Sequence, residues 1–218
     1  METVTHAFYP LKDGASWEYR ETEKEHDQNN TMTNSYTSIV DGTSELNGKT
    51  YWYTYSDDEY EEYTRIENGI LYIPTPDDLV AAKIAAPATA ALKHATIEVD
   101  QLPDEVAIVD LNASVGDTWE IMTNSINQQG VNISIIWTGT YVRTENVNVP
   151  AGTFNNRRKY QISLVVTSNV GNNTSTFSTS SEYWLAENVG LIKAIDVESE
   201  DGQTIFTITD ELTAYSIP

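Results

Sequence analysis

"VNISIIWTGTY" (131–141) alternates with a period of two. Val131, Ile133, Ile135, Trp137 and Tyr141 fall on one face, and Asn132, Ser134, Thr138 and Thr140 on the other. Only Ile136 breaks the pattern. Such alternation marks a strand dry on one side and wet on the other, as antiparallel sheets require. Outward from it the chain keeps the same habit, with strands read at 14–23, 31–40, 51–56, 61–67, 70–73, 157–168, 174–185, 191–199 and 204–212. Turn chemistry separates them at Asn47-Gly48, Asn68-Gly69, Pro150-Ala151-Gly152, 170–173 and 200–203. Thirteen tyrosines against four phenylalanines suit such half-wet strands. At 218 residues the expectation is one all-β domain over 1–218.

Composition removes several function classes. The net charge of −21 opposes nucleic acid and anionic membrane surfaces, whose binding depends on Lys and Arg. The absence of cysteine excludes disulfides, thiol catalysis and Cys-based zinc sites. No run of 18 apolar residues occurs, so no membrane-spanning helix is expected. The first residues, "METVTHAFYPLKDG", lack a basic and an apolar region, which leaves two readings: a cytoplasmic protein, or one in which Met1 replaces a signal segment. The resemblance given below favours the second, an extracytoplasmic protein whose signal segment is not part of this chain.

One segment departs from the β pattern. "TPDDLVAAKIAAPATAALKHA" (75–95) is alanine-rich, with Thr75 as N-cap, Pro76 at the first helical position and Asp77 and Asp78 beside it. Pro87 interrupts it, which predicts two short helices over 76–86 and 87–94.

Two motif pairs recur in the same order. "GASWE" (14–18) matches "GDTWE" (116–120), and "YTRIENGIL" (63–71) matches "YWLAENVGLI" (183–192) with one insertion. They predict pseudo-repeats over about 11–75 and 113–200, with Trp17 equivalent to Trp119 and Asn68 to Asn188.

"YPLKDGASWEYR" (9–20), "SVGDTWE" (114–120), "VNVPAGTFNNRRKY" (147–160) and "EYWLAENVGLIKAI" (182–195) together resemble TapB-like bacterial cell-envelope domains. That family is similar in turn to the half-barrel lipid carriers and lipoproteins around LolA, LolB and LppX. The resemblance covers about residues 9–215. It implies an antiparallel sheet of about 11 strands curled into a half-barrel, with the helices at about 76–94 closing one side. It carries over no catalytic residue, and the lipobox cysteine of envelope lipoproteins is not present.

A search for chemistry returns little. His6, His26 and His94 have no metal-ligand spacing, and no nucleophile elbow, phosphate loop or dinucleotide fingerprint occurs. The acidic run "DDEYEE" (57–62) lacks the pattern of a calcium loop and reads as a solvated strand tip. The expectation is therefore no catalytic residue, no metal and no cofactor. Two functions remain: an envelope or secreted protein holding a lipid or other apolar small molecule inside the curl, or a surface module binding carbohydrate or protein. For the first, the expected ligand face comprises Ile133, Ile135, Trp137 and Tyr141, joined by Tyr51, Tyr53, Leu164 and Val166 from neighbouring strands.

Overall fold

The computed structural model describes residues 6–57, 61–75, 103–128 and 131–218. The described residues form twelve strands: β1 (Ser16–Glu25), β2 (Asn30–Leu46), β3 (Lys49–Ser56), β4 (Glu61–Glu67), β5 (Ile70–Pro74), β6 (Glu105–Asp110), β7 (Thr118–Gln128), β8 (Val131–Val149), β9 (Gly152–Val170), β10 (Asn173–Ala186), β11 (Gly190–Glu200) and β12 (Gln203–Ser216). Their order in the sheet is β6-β5-β4-β3-β2-β1-β12-β11-β10-β9-β8-β7. Every pair is antiparallel, and each strand but the two at the seam lies between its neighbours in sequence or across the β1–β12 junction. The edge strands β6 and β7 approach each other, so the sheet is a nearly closed barrel. Near-closure covers an inner face that a flat sheet of this composition would expose.

Local chemistry explains the path. Asn47-Gly48 and Asn68-Gly69 both have positive φ, at 51° and 74° and at 52° and 76°. Two successive left-handed residues twist a two-residue hairpin in the sense of its strands, and Asn-Gly tolerates that conformation best. At the β10–β11 corner Asn188 takes a φ of 60°, Val189 N–H donates to the Ala186 carbonyl, and Ala186 pairs with Gly190 across the ladder. "EYWLAENVGLIKAI" is thus a hairpin corner, with Trp184, Leu185 and Ile192 buried around it.

Ten of the twelve strands correspond to those read from the residues, and β6 and β7 are the two without a counterpart. "EVAIVD" has too short an apolar run to separate strand from helix. In β7 a register shift between Glu120 and Met122 breaks the alternation that would have announced it. The described residues contain no helix; the two expected over 76–86 and 87–94 lie outside the described residues, as do His94, Asp58 and Glu59.

One barrel end gathers the N-terminal segment, the C-terminus, the β4–β5 and β10–β11 corners and the β6–β7 connection. The chain before β1 seals it. Asn188 N–H donates to the Ala7 carbonyl at 2.6 Å, Phe8 lies under the Arg158 guanidinium at 3.9 Å, and Leu11 is buried. Inside, β6 to β10 supply an aliphatic cluster around Ile133, Ile135, Ile162 and Leu164. A second cluster forms around Leu11, Trp17, Tyr19, Trp52 and Leu212.

Candidate functional site

Packing does not fill the barrel. A cavity of about 370 Å³ runs between the two sides, walled by Trp137 of β8, Leu164 of β9, Ile73 of β5, Ile108 of β6 and Tyr183 and Leu185 of β10. Its volume falls within the roughly 300–1,000 Å³ of small-molecule sites, and its lining is predominantly apolar, as such sites are. Thr179 and Ser181 add hydroxyl-bearing side chains on β10.

A smaller cavity of about 140 Å³ adjoins it, lined by Trp17, Tyr19, Tyr36, Ser38, Thr54 and Ser56 among others. Tyr9, Glu62 and Leu191 border both spaces and so form the partition between them.

Glu62 reaches the interior by strand parity. Thr54 pairs with Glu62, Trp52 with Thr64 and Ile66 with Leu71. Trp52, Thr64, Ile66 and Leu71 are all buried, so the period of two carries Glu62 inward as well. Tyr63, Arg65 and Glu67 take the outer face. Burial raises the pKa of the Glu62 carboxyl. Beside it the Tyr9 hydroxyl is hydrogen-bonded to Thr64, and burial followed by the Glu62 charge pushes its pKa well up. Desolvation and the same carboxylate also raise Tyr19.

The acidic run therefore divides, which corrects its reading as a solvated strand tip. Asp57 caps the Thr37 N–H at 2.8 Å and Glu61 accepts from Tyr53 and Tyr63 outside, but Glu62 belongs to the interior. Among the described residues no group of three or more His, Asp or Glu is placed to hold a metal ion.

The expected ligand-face residues separate into three sets. Trp137 and Leu164 line the large cavity. Ile133, Ile135, Tyr141 and Val166 share their face but are packed into the aliphatic cluster, each no more than 5% exposed. Tyr51 and Tyr53 lie on the opposite face of β3 from Trp52 and Thr54, away from the cavities. Tyr51 donates to Glu105 at 2.5 Å and Tyr53 to Glu61 at 3.0 Å. The aromatic alternation of "YWYTYS" marks the outer face, and the inner one is written by Trp52, Thr54 and Ser56.

Sequence reasoning missed Tyr9, Glu62, Tyr183, Leu185 and Leu191. A signal for Glu62 existed: the Asn68-Gly69 turn fixes Ile66 opposite Leu71, and counting back by twos reaches Thr64 and Glu62.

No protein-family model matches the sequence, and no curated protein matches it. Among solved structures, a "putative lipoprotein" from Parabacteroides distasonis is similar at 14% identity and a TM-score of 0.47, over 98% of this chain and 100% of its own. A "putative exported protein with YmcC-like fold" from Bacteroides fragilis is similar at 16% identity and a TM-score of 0.47, with the same coverage.

Proposed function

We propose that this is a non-enzymatic, secreted or envelope-associated protein that holds one hydrophobic small molecule inside its barrel. The observation that carries the reading is the cavity of about 370 Å³ between Trp137, Leu164, Ile73 and Leu185. Water held against such a wall makes few hydrogen bonds, so an apolar occupant gains by displacing it. Extracytoplasmic placement rests on the resemblance of four motifs to TapB-like envelope domains and accords with the strongly acidic composition.

The outer face supports a protein bathed in water. Arg20, Lys193 and Glu211 form a charged chain across β1, β12 and β11, with contacts of 2.6 and 3.0 Å, and Lys159 pairs with Glu182 at 2.7 Å. Charges at mid-strand are the reverse of a lipid-facing band. No helix among the described residues is long and apolar enough to cross a membrane.

The neutral fluorophore N-phenyl-1-naphthylamine tests the reading. One molecule per chain is expected to bind with a blue-shifted emission. Ser181→Phe, which fills the cavity from β10, is expected to abolish that signal while the circular dichroism stays native. Absent binding, or binding that survives Ser181→Phe unchanged, overturns the proposal.

A further inference from the structure

We propose that the smaller chamber is an ammonium site, and that the ligand is an apolar molecule ending in a positively charged amine. This rests on the reading of the barrel as a hydrophobic-ligand holder and names the chemistry of the ligand's head.

The chamber joins a carboxyl group to aromatic rings. Tyr9, Trp17, Tyr19 and Tyr36 line it together with Glu62, and the Tyr19 and Tyr36 rings stack at 5.3 Å. The polar ends of two of these residues are already committed. Trp17 Nε1 donates to the Val189 carbonyl at 2.5 Å and the Tyr19 hydroxyl to the Leu191 carbonyl at 2.9 Å. What they retain for a ligand is ring surface, whose negative quadrupole favours a cation within about 6 Å.

Charge selects among possible heads. No Lys or Arg is found among the described residues lining either cavity. Arg158, beside the N-terminal segment, is engaged by the Leu111 carbonyl at 2.6 Å, the Tyr160 hydroxyl at 3.3 Å and the Phe8 ring. Behind Tyr36 the charge is again negative, because Tyr36 is hydrogen-bonded to Asp210 with Glu21 nearby. A carboxylate or phosphate head would meet the Glu62 carboxyl with no Lys or Arg among the described lining residues to neutralise it. An alkyl end would desolvate Glu62 without offering a partner, which is costly. An ammonium group pairs with Glu62, rests against the rings, and finds hydroxyl acceptors on Ser38 and Thr54. Its chain then enters the larger cavity past Tyr9 and Leu191, which border both spaces.

Three ligands of one chain length isolate the head: decylamine, decanol and decanoate, titrated calorimetrically at pH 7. Decylamine is expected to bind about tenfold or more tighter than decanol, with decanoate weakest. Glu62→Gln should remove the amine's advantage, and Tyr36→Leu should reduce it about fivefold with decanol unaffected. Asp27→Asn, which removes an equal charge from the exposed β1–β2 loop, should change nothing. Equal affinity for amine and alcohol, or an amine preference that survives Glu62→Gln, overturns the ammonium site and leaves the apolar cavity standing. A loss with Asp27→Asn equal to that with Glu62→Gln assigns the preference to overall charge and also overturns it. Binding of none of the three removes the barrel reading together with this one.

Discussion

The two six-strand halves of the barrel, β1–β6 and β7–β12, follow the same path and line it differently. In each, six antiparallel strands run in sequence order, and the halves meet at β1–β12 and at the β6–β7 seam. Trp17 stands on the first strand of one half and Trp119 on the first strand of the other. Asn68 turns the fourth strand into the fifth, as does Asn188, both with positive φ. Each corner is held by the chain that precedes the other half's first strand. Asn112 Nδ2 and Leu111 N–H donate to the Asn68 and Gly69 carbonyls at 2.7 and 2.8 Å, while the Ala7 carbonyl accepts from Asn188. We propose on these grounds that the halves are copies of one unit. β9 has 19 residues where β3 has 8, and β10 has 14 where β4 has 7, which accounts for the 69 residues from Trp119 to Asn188 against 51 from Trp17 to Asn68.

The difference lies in what faces inward. The second half presents Ile133, Ile135, Trp137, Ile162, Leu164 and Val166, and most of these pack against one another. The first presents Ser38, Thr54, Ser56, Glu62 and Thr64 beside Tyr19 and Tyr36, interleaved with the buried Val40, Trp52, Ile66 and Leu71. One wall is core throughout, and the other combines core with a lined chamber. The first half also buries Trp17, Val40, Trp52 and Ile66, so its inward polar groups sit within a packed wall and do not replace one.

Truncation on each wall is the strongest way to break this contrast. Ile135→Ala, at a site 2% exposed, should cost about 4 kcal/mol through lost transfer energy and an unfilled cavity. Thr54→Ala on the opposite wall should cost about 1 kcal/mol, the scale of a common point substitution, because Thr54 borders a cavity that already leaves it short of packing partners. Urea denaturation measures both, and equal losses would abolish the distinction between core wall and chamber wall.

The shorter half has a compensating device outside. β4, β5 and β6 have only 7, 5 and 6 residues, yet Glu105 of β6 reaches across to β4 and β3. It contacts Arg65 at 2.6 Å and Lys49 at 2.8 Å and accepts from Tyr51 at 2.5 Å. Burial alone would raise the Glu105 pKa, but the hydrogen bonds from Arg65, Lys49 and Tyr51 prevail and hold it at about 2. A depressed carboxylate stabilises the fold above its unfolded pKa, and that stability is lost as pH falls through the folded value. Glu105→Gln should therefore cost about 2 kcal/mol at pH 7. Its difference from the wild type should shrink as pH falls from about 4.5 towards 2. A gap unchanged across that range would remove the clamp from the account.

Much of the second half was legible because its strands obey one rule. "VNISIIWTGTY" is alternating, half-buried and long, and the turns after it carry Pro-Ala-Gly and Asp-Gly. Ile136, the exception in the pattern, is 48% exposed, as its parity demands. The first half resisted for a physical reason. Its inner face mixes Trp52, Ile66 and Leu71 with Thr54, Ser56, Glu62 and Thr64, so hydropathy does not separate it from the outer face. The tyrosines of "YWYTYS" look like the wall although Trp52, Thr54 and Ser56 form it. Gly139 hid a further contact. A Cβ there would meet the Trp119 indole at 2.2 Å, so this ring occupies the place of the missing side chain, which alternation alone does not disclose.

The smallest expected effect concerns Glu62, and its sign separates a functional residue from a structural one. A carboxyl whose folded pKa is raised is tolerated below its unfolded pKa and opposes folding as pH rises through the folded value. Tyr9 and Tyr19, which face it, have pKa values raised by burial and stay neutral throughout that range. Glu62→Gln keeps the shape and removes the charge, so it should stabilise the empty protein at pH 7 by at most about 1 kcal/mol, the scale of a common point substitution. The advantage should fade on acidification, as both forms become neutral. A residue present only to pack or to brace the barrel would behave in the opposite way, its removal costing stability at pH 7. Thermal melts of the two proteins between pH 4 and pH 8 decide the matter, and a Glu62→Gln protein less stable than the wild type at pH 7 would return Glu62 to the scaffold.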